Sequence, residues 1–169
     1  MSLSRGFRLT GEAPFKRCAA PHTWAIGILG IARAVSVTAE RPLVLLVEDD
    51  REGRMLYAEW LAQAGFRVEQ AHNGLQALER AIDLLPDVVV TDLHIPGIDG
   101  YELTRRLKAE PRTSAIPILA VTGYGPFTQD PSRADRAGCD AILPKPCSPD
   151  DLEATIRNLI QIRTREHRA

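Results

Sequence analysis

From Leu43 onward, short uninterrupted apolar runs alternate with stretches whose apolar residues recur at helical spacing. Leu43-Val44-Leu45-Leu46-Val47 is apolar at every position, which requires cover on both faces of a strand. Leu56, Tyr57, Trp60, Leu61 and Ala64 then follow a helical period, and Gly65 stops that helix. Phe66–Glu69 reads as a strand, and Leu75, Leu78, Ile82 and Leu85 as a helical stripe closed by Pro86. Val88–Val90 is a buried strand, Tyr101–Leu107 a helix and Ile116–Val121 a strand. A short helix starts at Pro131 behind an Asp130 cap, and Ala141–Leu143 is the last strand. Leu152, Ile156, Leu159 and Ile160 mark the last helix, with Asp150 and Asp151 in its first turn, where the helix dipole favours acids. Five strands alternating with five helices predict an α/β fold: a doubly wound five-stranded parallel sheet with helices on both faces.

Charge divides the chain in the same places. Residues 1–42 hold six Lys/Arg against two Asp/Glu, residues 43–153 eleven against nineteen, and residues 154–169 four against one. An acidic body between basic ends excludes a polycation built for nucleic acid. Residues 1–42 are read as a mobile N-terminal extension, 43–163 as the domain, and 164–169 as a basic tail. The apolar stretch Trp24–Ile31 falls well short of the roughly 18 residues of a membrane span, so no membrane insertion is expected. Cys18, Cys139 and Cys147 make neither a disulfide framework nor a metal-ligand spacing, which suits the cytoplasm.

In an open α/β sheet the site lies at the carboxyl ends of the strands. Glu48, Asp49 and Asp50 follow the first strand, Asp92 the third, Thr122 the fourth and Lys145 the fifth. A fold alone does not require polar groups at four strand ends. Three carboxylates after the first strand would repel a phosphate held there, and are explained by a hard cation, Mg²⁺. With a cation in place Asp92 can act as a nucleophile toward phosphorus, since carboxylates form acyl phosphates. Lys145 and Thr122 then supply positive charge and a hydroxyl to the phosphoryl oxygens.

These residues fall in four motifs: Val47-Glu48-Asp49-Asp50, Thr91 to Gly100 around Asp92, Ala120-Val121-Thr122-Gly123, and Leu143-Pro144-Lys145-Pro146. Together they resemble the receiver domain of two-component response regulators, of the chemotaxis-regulator type. The resemblance implies a flavodoxin-like strand order 2-1-3-4-5. It implies that Asp92 accepts phosphate from the phosphohistidine of a sensor histidine kinase or histidine phosphotransfer protein. It also implies Mg²⁺ held directly by Asp49, Asp92 and the backbone carbonyl of His94, with Glu48 binding through water. Thr122 and Lys145 would contact the phosphoryl group, the Lys145–Pro146 bond would be cis, and Pro96 and Gly100 would shape the loop after Asp92. The phosphorylated state would alter binding to a downstream target protein, with no direct DNA binding expected of a single-domain regulator. Apart from its own phosphorylation and dephosphorylation, such a domain is not an enzyme.

Two departures stand out. Ile142 occupies the place where the family usually has a switching aromatic. It is expected to stay buried in both states, the change being carried by the backbone after Thr122. His94 and Tyr124 sit where the family tunes phosphate loss. A phosphatase of the haloacid-dehalogenase type is the enzyme alternative, but Asp92-Leu93-His94 lacks its second acid. A flavin-binding electron carrier conflicts with the acidic loop. A degenerate, unphosphorylated receiver conflicts with the full set of site residues.

Overall fold

The computed structural model describes residues 41–123 and 131–166, with the Pro131 side chain left out. The N-terminal extension up to Glu40, Tyr124, the Asp130 cap and residues 167–169 lie outside the described residues. The strands are β1 Leu43–Val47, β2 Arg67–Ala71, β3 Val88–Thr91, β4 Ile118–Thr122 and β5 Ala141–Pro144. The helices are α1 Arg51–Gln63, α2 Gly74–Leu84, α3 Gly100–Ala109, α4 Pro131–Ala137 and α5 Pro149–Glu166. All pairings are parallel and the order is β2-β1-β3-β4-β5, as the resemblance implies.

Alternate residues of the central strands feed opposite faces of the sheet. Val44, Leu46, Val88, Val90, Leu119 and Val121 pack with Leu61, Phe66, Leu152 and Ile156 on the α1 and α5 side. Leu45, Val47, Val89 and Ile118 pack with Ala77, Ala81, Leu103 and Leu107 on the α2 and α3 side. A third, smaller cluster joins Leu93, Tyr101 and Ala120 to Ala134 and Ala137 of α4.

Asp50, Asn73 and Asp99 cap α1, α2 and α3, each accepting a backbone N–H three residues on. Gly65 follows the α1 cap at φ +90°, where a side chain would be strained. The α2 stripe differs from its sequence reading. Ala77 and Ala81 face the sheet, while Leu75 and Leu85 are exposed. Small residues let α2 lie close to the strands, while Leu78 packs half-buried against the same core. Leu56 of α1 is likewise exposed. Ile142 is 38% exposed, not buried as expected, because β5 is an edge strand paired only to β4. α5 continues to Glu166, with Arg163 and Arg165 in its last turn, where positive charge complements the helix dipole. Among the described residues no helix is long and apolar enough to cross a membrane.

Candidate functional site

Register assembles the site. Val47 pairs with Thr91, Thr91 with Ala120, and Thr122 with Pro144. Glu48, Asp92 and Lys145 are each the next residue off their strand, and Thr122 is the last of its own, so all four reach one rim. Backbone bonds hold each step: Asp92 N–H donates to Val47 O at 3.0 Å, Glu48 N–H to Ala71 O at 3.1 Å and Lys145 N–H to Thr122 O at 2.7 Å. The Lys145–Pro146 bond is cis, as expected.

Lys145 Nζ bridges two carboxylates, at 2.5 Å from Glu48 Oε2 and 2.6 Å from Asp92 Oδ2. The other Asp92 oxygen accepts the His94 backbone N–H at 2.9 Å. Glu48 and Asp92 are buried. Burial pushes the Glu48 carboxyl above the usual range, and Lys145 only partly offsets it. Burial works against the Lys145 ammonium, but hydrogen bonds and charge from Asp92 and Glu48 prevail and raise its pKa. The Thr122 hydroxyl is buried without a hydrogen-bond partner among the described residues. Such a group is costly unless a ligand or water completes it.

Asp49 and Asp50 are exposed, and Asp50 spends its carboxylate on the Gly53 N–H at 2.6 Å. Among the described residues no three His, Cys, Asp or Glu side chains converge as a ready-made metal cage. The donor chemistry nonetheless fits Mg²⁺, which takes one or two carboxylates and keeps several waters. Two buried acids share a single ammonium, so the rim retains negative charge for a divalent cation. The His94 side chain lies beside the site, Nδ1 3.9 Å from Asp92 Oδ1. Gly100 is pressed on the backbone of Asp92 and Leu93, where a Cβ would overlap the Asp92 carbonyl oxygen. The loop after Asp92 closes only with glycine there.

Two site neighbours were not evident from sequence. Arg54 donates from one guanidinium nitrogen to the carbonyls of Glu48 and Asp49, at 2.7 and 3.2 Å. A basic residue near the start of a helix, against the dipole preference, was the available signal. Tyr57 holds its ring 5.9 Å from Lys145 Nζ, with its hydroxyl 3.9 Å from Cys147 Sγ. Its helical spacing marks it only as part of the apolar stripe of α1.

Two buried acids, a bridging lysine and an orphaned threonine hydroxyl thus meet at the carboxyl rim of an open parallel sheet. The chain belongs to the response regulator receiver domain family, which matches residues 44–157. It is 36% identical over 121 residues to the response regulator Rre1 of Synechocystis, covering 70% of this chain and 52% of that protein. It is 31% identical over 117 residues to the polar-differentiation response regulator DivK of Brucella anthropi, covering 69% of this chain and 94% of that one. Among solved structures, the receiver domain of the Pseudomonas aeruginosa sensor histidine kinase PA1611, described with a magnesium ion coordinated in its active-site cleft, superimposes with a TM-score of 0.67. It shares 28% identity, over 72% of this chain and 98% of that one. The chain spans about half the length of the first curated relatives it matches.

Proposed function

We propose that Asp92 accepts a phosphoryl group from the phosphohistidine of a sensor histidine kinase or a histidine phosphotransfer protein in the cytoplasm, and that the phosphorylated state changes what a downstream protein binds. The observation that carries this is the position of Asp92 at the exit of central β3. Its carboxylate is held at 2.6 Å by Lys145, beside buried Glu48, at the same rim as the unpartnered Thr122 hydroxyl.

A carboxylate oxygen of Asp92 attacks phosphorus, the P–N bond breaks, and its electron pair returns to the imidazole of the donor. Lys145 is placed to follow the developing negative charge, and the Thr122 hydroxyl to donate to a phosphoryl oxygen. Asp49, Asp92 and the His94 carbonyl would hold Mg²⁺, with Glu48 acting through water. Bound there, the ion supplies charge neutralisation between acid and phosphoryl group. The His94 backbone N–H, donating to Asp92 Oδ1 at 2.9 Å, orients the carboxylate for attack.

Acetyl phosphate with Mg²⁺ should add one phosphoryl group by intact mass, and Asp92→Asn should abolish the addition. Full labelling of the Asn variant would move the nucleophile elsewhere. A phosphatase reading predicts turnover of small phosphate esters, which the same samples would reveal.

A further inference from the structure

The exposed Ile142 leaves open how a change at Asp92 reaches the rest of the domain. The structure carries a different physical link, on the other side of β4. Asp99 uses both carboxylate oxygens. Oδ1 accepts the Glu102 N–H at 2.7 Å, capping α3, and Oδ2 lies 3.5 Å from Nη2 of Arg133 on α4. The Arg133 guanidinium sits 4.1 Å from the centroid of the Tyr101 ring. Tyr101 is completely buried, packed with Leu93, Ala120, Ala134 and Ala137. The two alanines give α4 a flat face on which to approach the ring. Leu93 is the residue after Asp92, and Ala120 stands two before Thr122. The cluster therefore touches both strand exits that a phosphoryl group would rearrange.

An exposed ion pair alone is weak. Here the same cation also stacks on a buried ring, and its acid is fixed by capping a helix. Arg133 is thus held from two directions by the segment that follows Asp92. We propose that Asp99, Tyr101 and Arg133 form a latch that holds α4 in its resting place and opposes the movement of Thr122 toward a phosphoryl group on Asp92. The inference rests on Asp92 being the phosphoacceptor. Arg133 is a positioning residue in this scheme, acting through α4, and the latch replaces the communication that an aromatic in β5 would give. It is made in the resting arrangement, so by linkage its loss favours the phosphorylated one.

The test compares the full chain with Arg133→Gln and Asp99→Asn. Asparagine keeps the cap and removes the charge. Beryllofluoride with Mg²⁺, titrated against intrinsic fluorescence, reads affinity for a phosphoryl mimic, and acetyl phosphate labelling reads rate. Arg133→Gln should bind beryllofluoride about three- to tenfold more tightly and label faster, the range expected of one cation–ring contact plus a weak ion pair, and Asp99→Asn should change both in the same direction by about two- to threefold, the ion pair alone. The double variant should gain little beyond the larger single effect, because the two residues act together. Hydrogen exchange in Pro131–Ala137 should rise on beryllofluoride binding in the native chain, and should already be raised in the variants. A damaged fold would weaken binding, so the predicted gain is not mimicked by disruption. Native-chain labelling at Asp92 with unchanged or weakened affinity in both variants overturns the latch alone. A native chain that takes no phosphoryl group at Asp92 overturns the site reading and the latch together.

Discussion

At Lys145 one ammonium serves two acids, and Tyr57 shows the same crowding from behind. The Tyr57 phenol is pushed up to about 12, first by burial and then by the neighbouring Cys147 thiol. An unfolded tyrosine loses its proton near pH 10. The Tyr57 contribution to stability is therefore complete below pH 10 and is lost as pH climbs toward 12. Titration followed by phenolate absorbance should show a late step that Tyr57→Phe removes. Thermal melts of that variant should decline less steeply over the same pH interval. At this scale the sequence was legible where chemistry is carried by residue type. Glu48, Asp92, Thr122 and Lys145 each end or follow a strand, and register brings them together. Arg54 was less legible, because its role lies in reaching two backbone carbonyls, which no spacing rule records.

Among the elements, the strands were easiest to read because full burial forces apolar residues at every position, as in β1. β2 and β5 flank the sheet and were less constrained, which is why Ile142 points partly to solvent. The α2 stripe holds only in part for a related reason: Leu78 packs on the core, yet the close approach of helix to sheet is made by Ala77 and Ala81, and Leu75 and Leu85 stay exposed. Its end is strained as well. Leu85 adopts φ 48°, the left-handed region, and is 45% exposed. A residue other than glycine pays about 1 kcal/mol there. Leu85→Gly should therefore raise stability by about 0.5–1 kcal/mol, after allowing for the greater freedom of glycine in the unfolded chain. Urea unfolding should show a higher midpoint at unchanged slope.

Across the whole molecule, both main cores are built between Leu43 and Leu159, and every proposed site residue lies between Glu48 and Lys145. A chain beginning at Glu40 should therefore fold and take up phosphate from acetyl phosphate at the rate of the full chain, by melting temperature and intact mass. The sheet also separates two ends of the domain. β1 starts after Arg41–Pro42 at the amino rim. The last turn of α5 returns there, where Arg163 donates to the carbonyls of Pro86 and Asp87 just before β3. A five-residue strand spans about 17 Å, which sets the distance from this rim to the one bearing Asp92. The first described residues, Arg41–Pro42, and the last turn of α5 thus share the rim opposite the one that bears Asp92, so a phosphoryl donor that reaches Asp92 meets the carboxyl ends of the strands and neither end of the described domain.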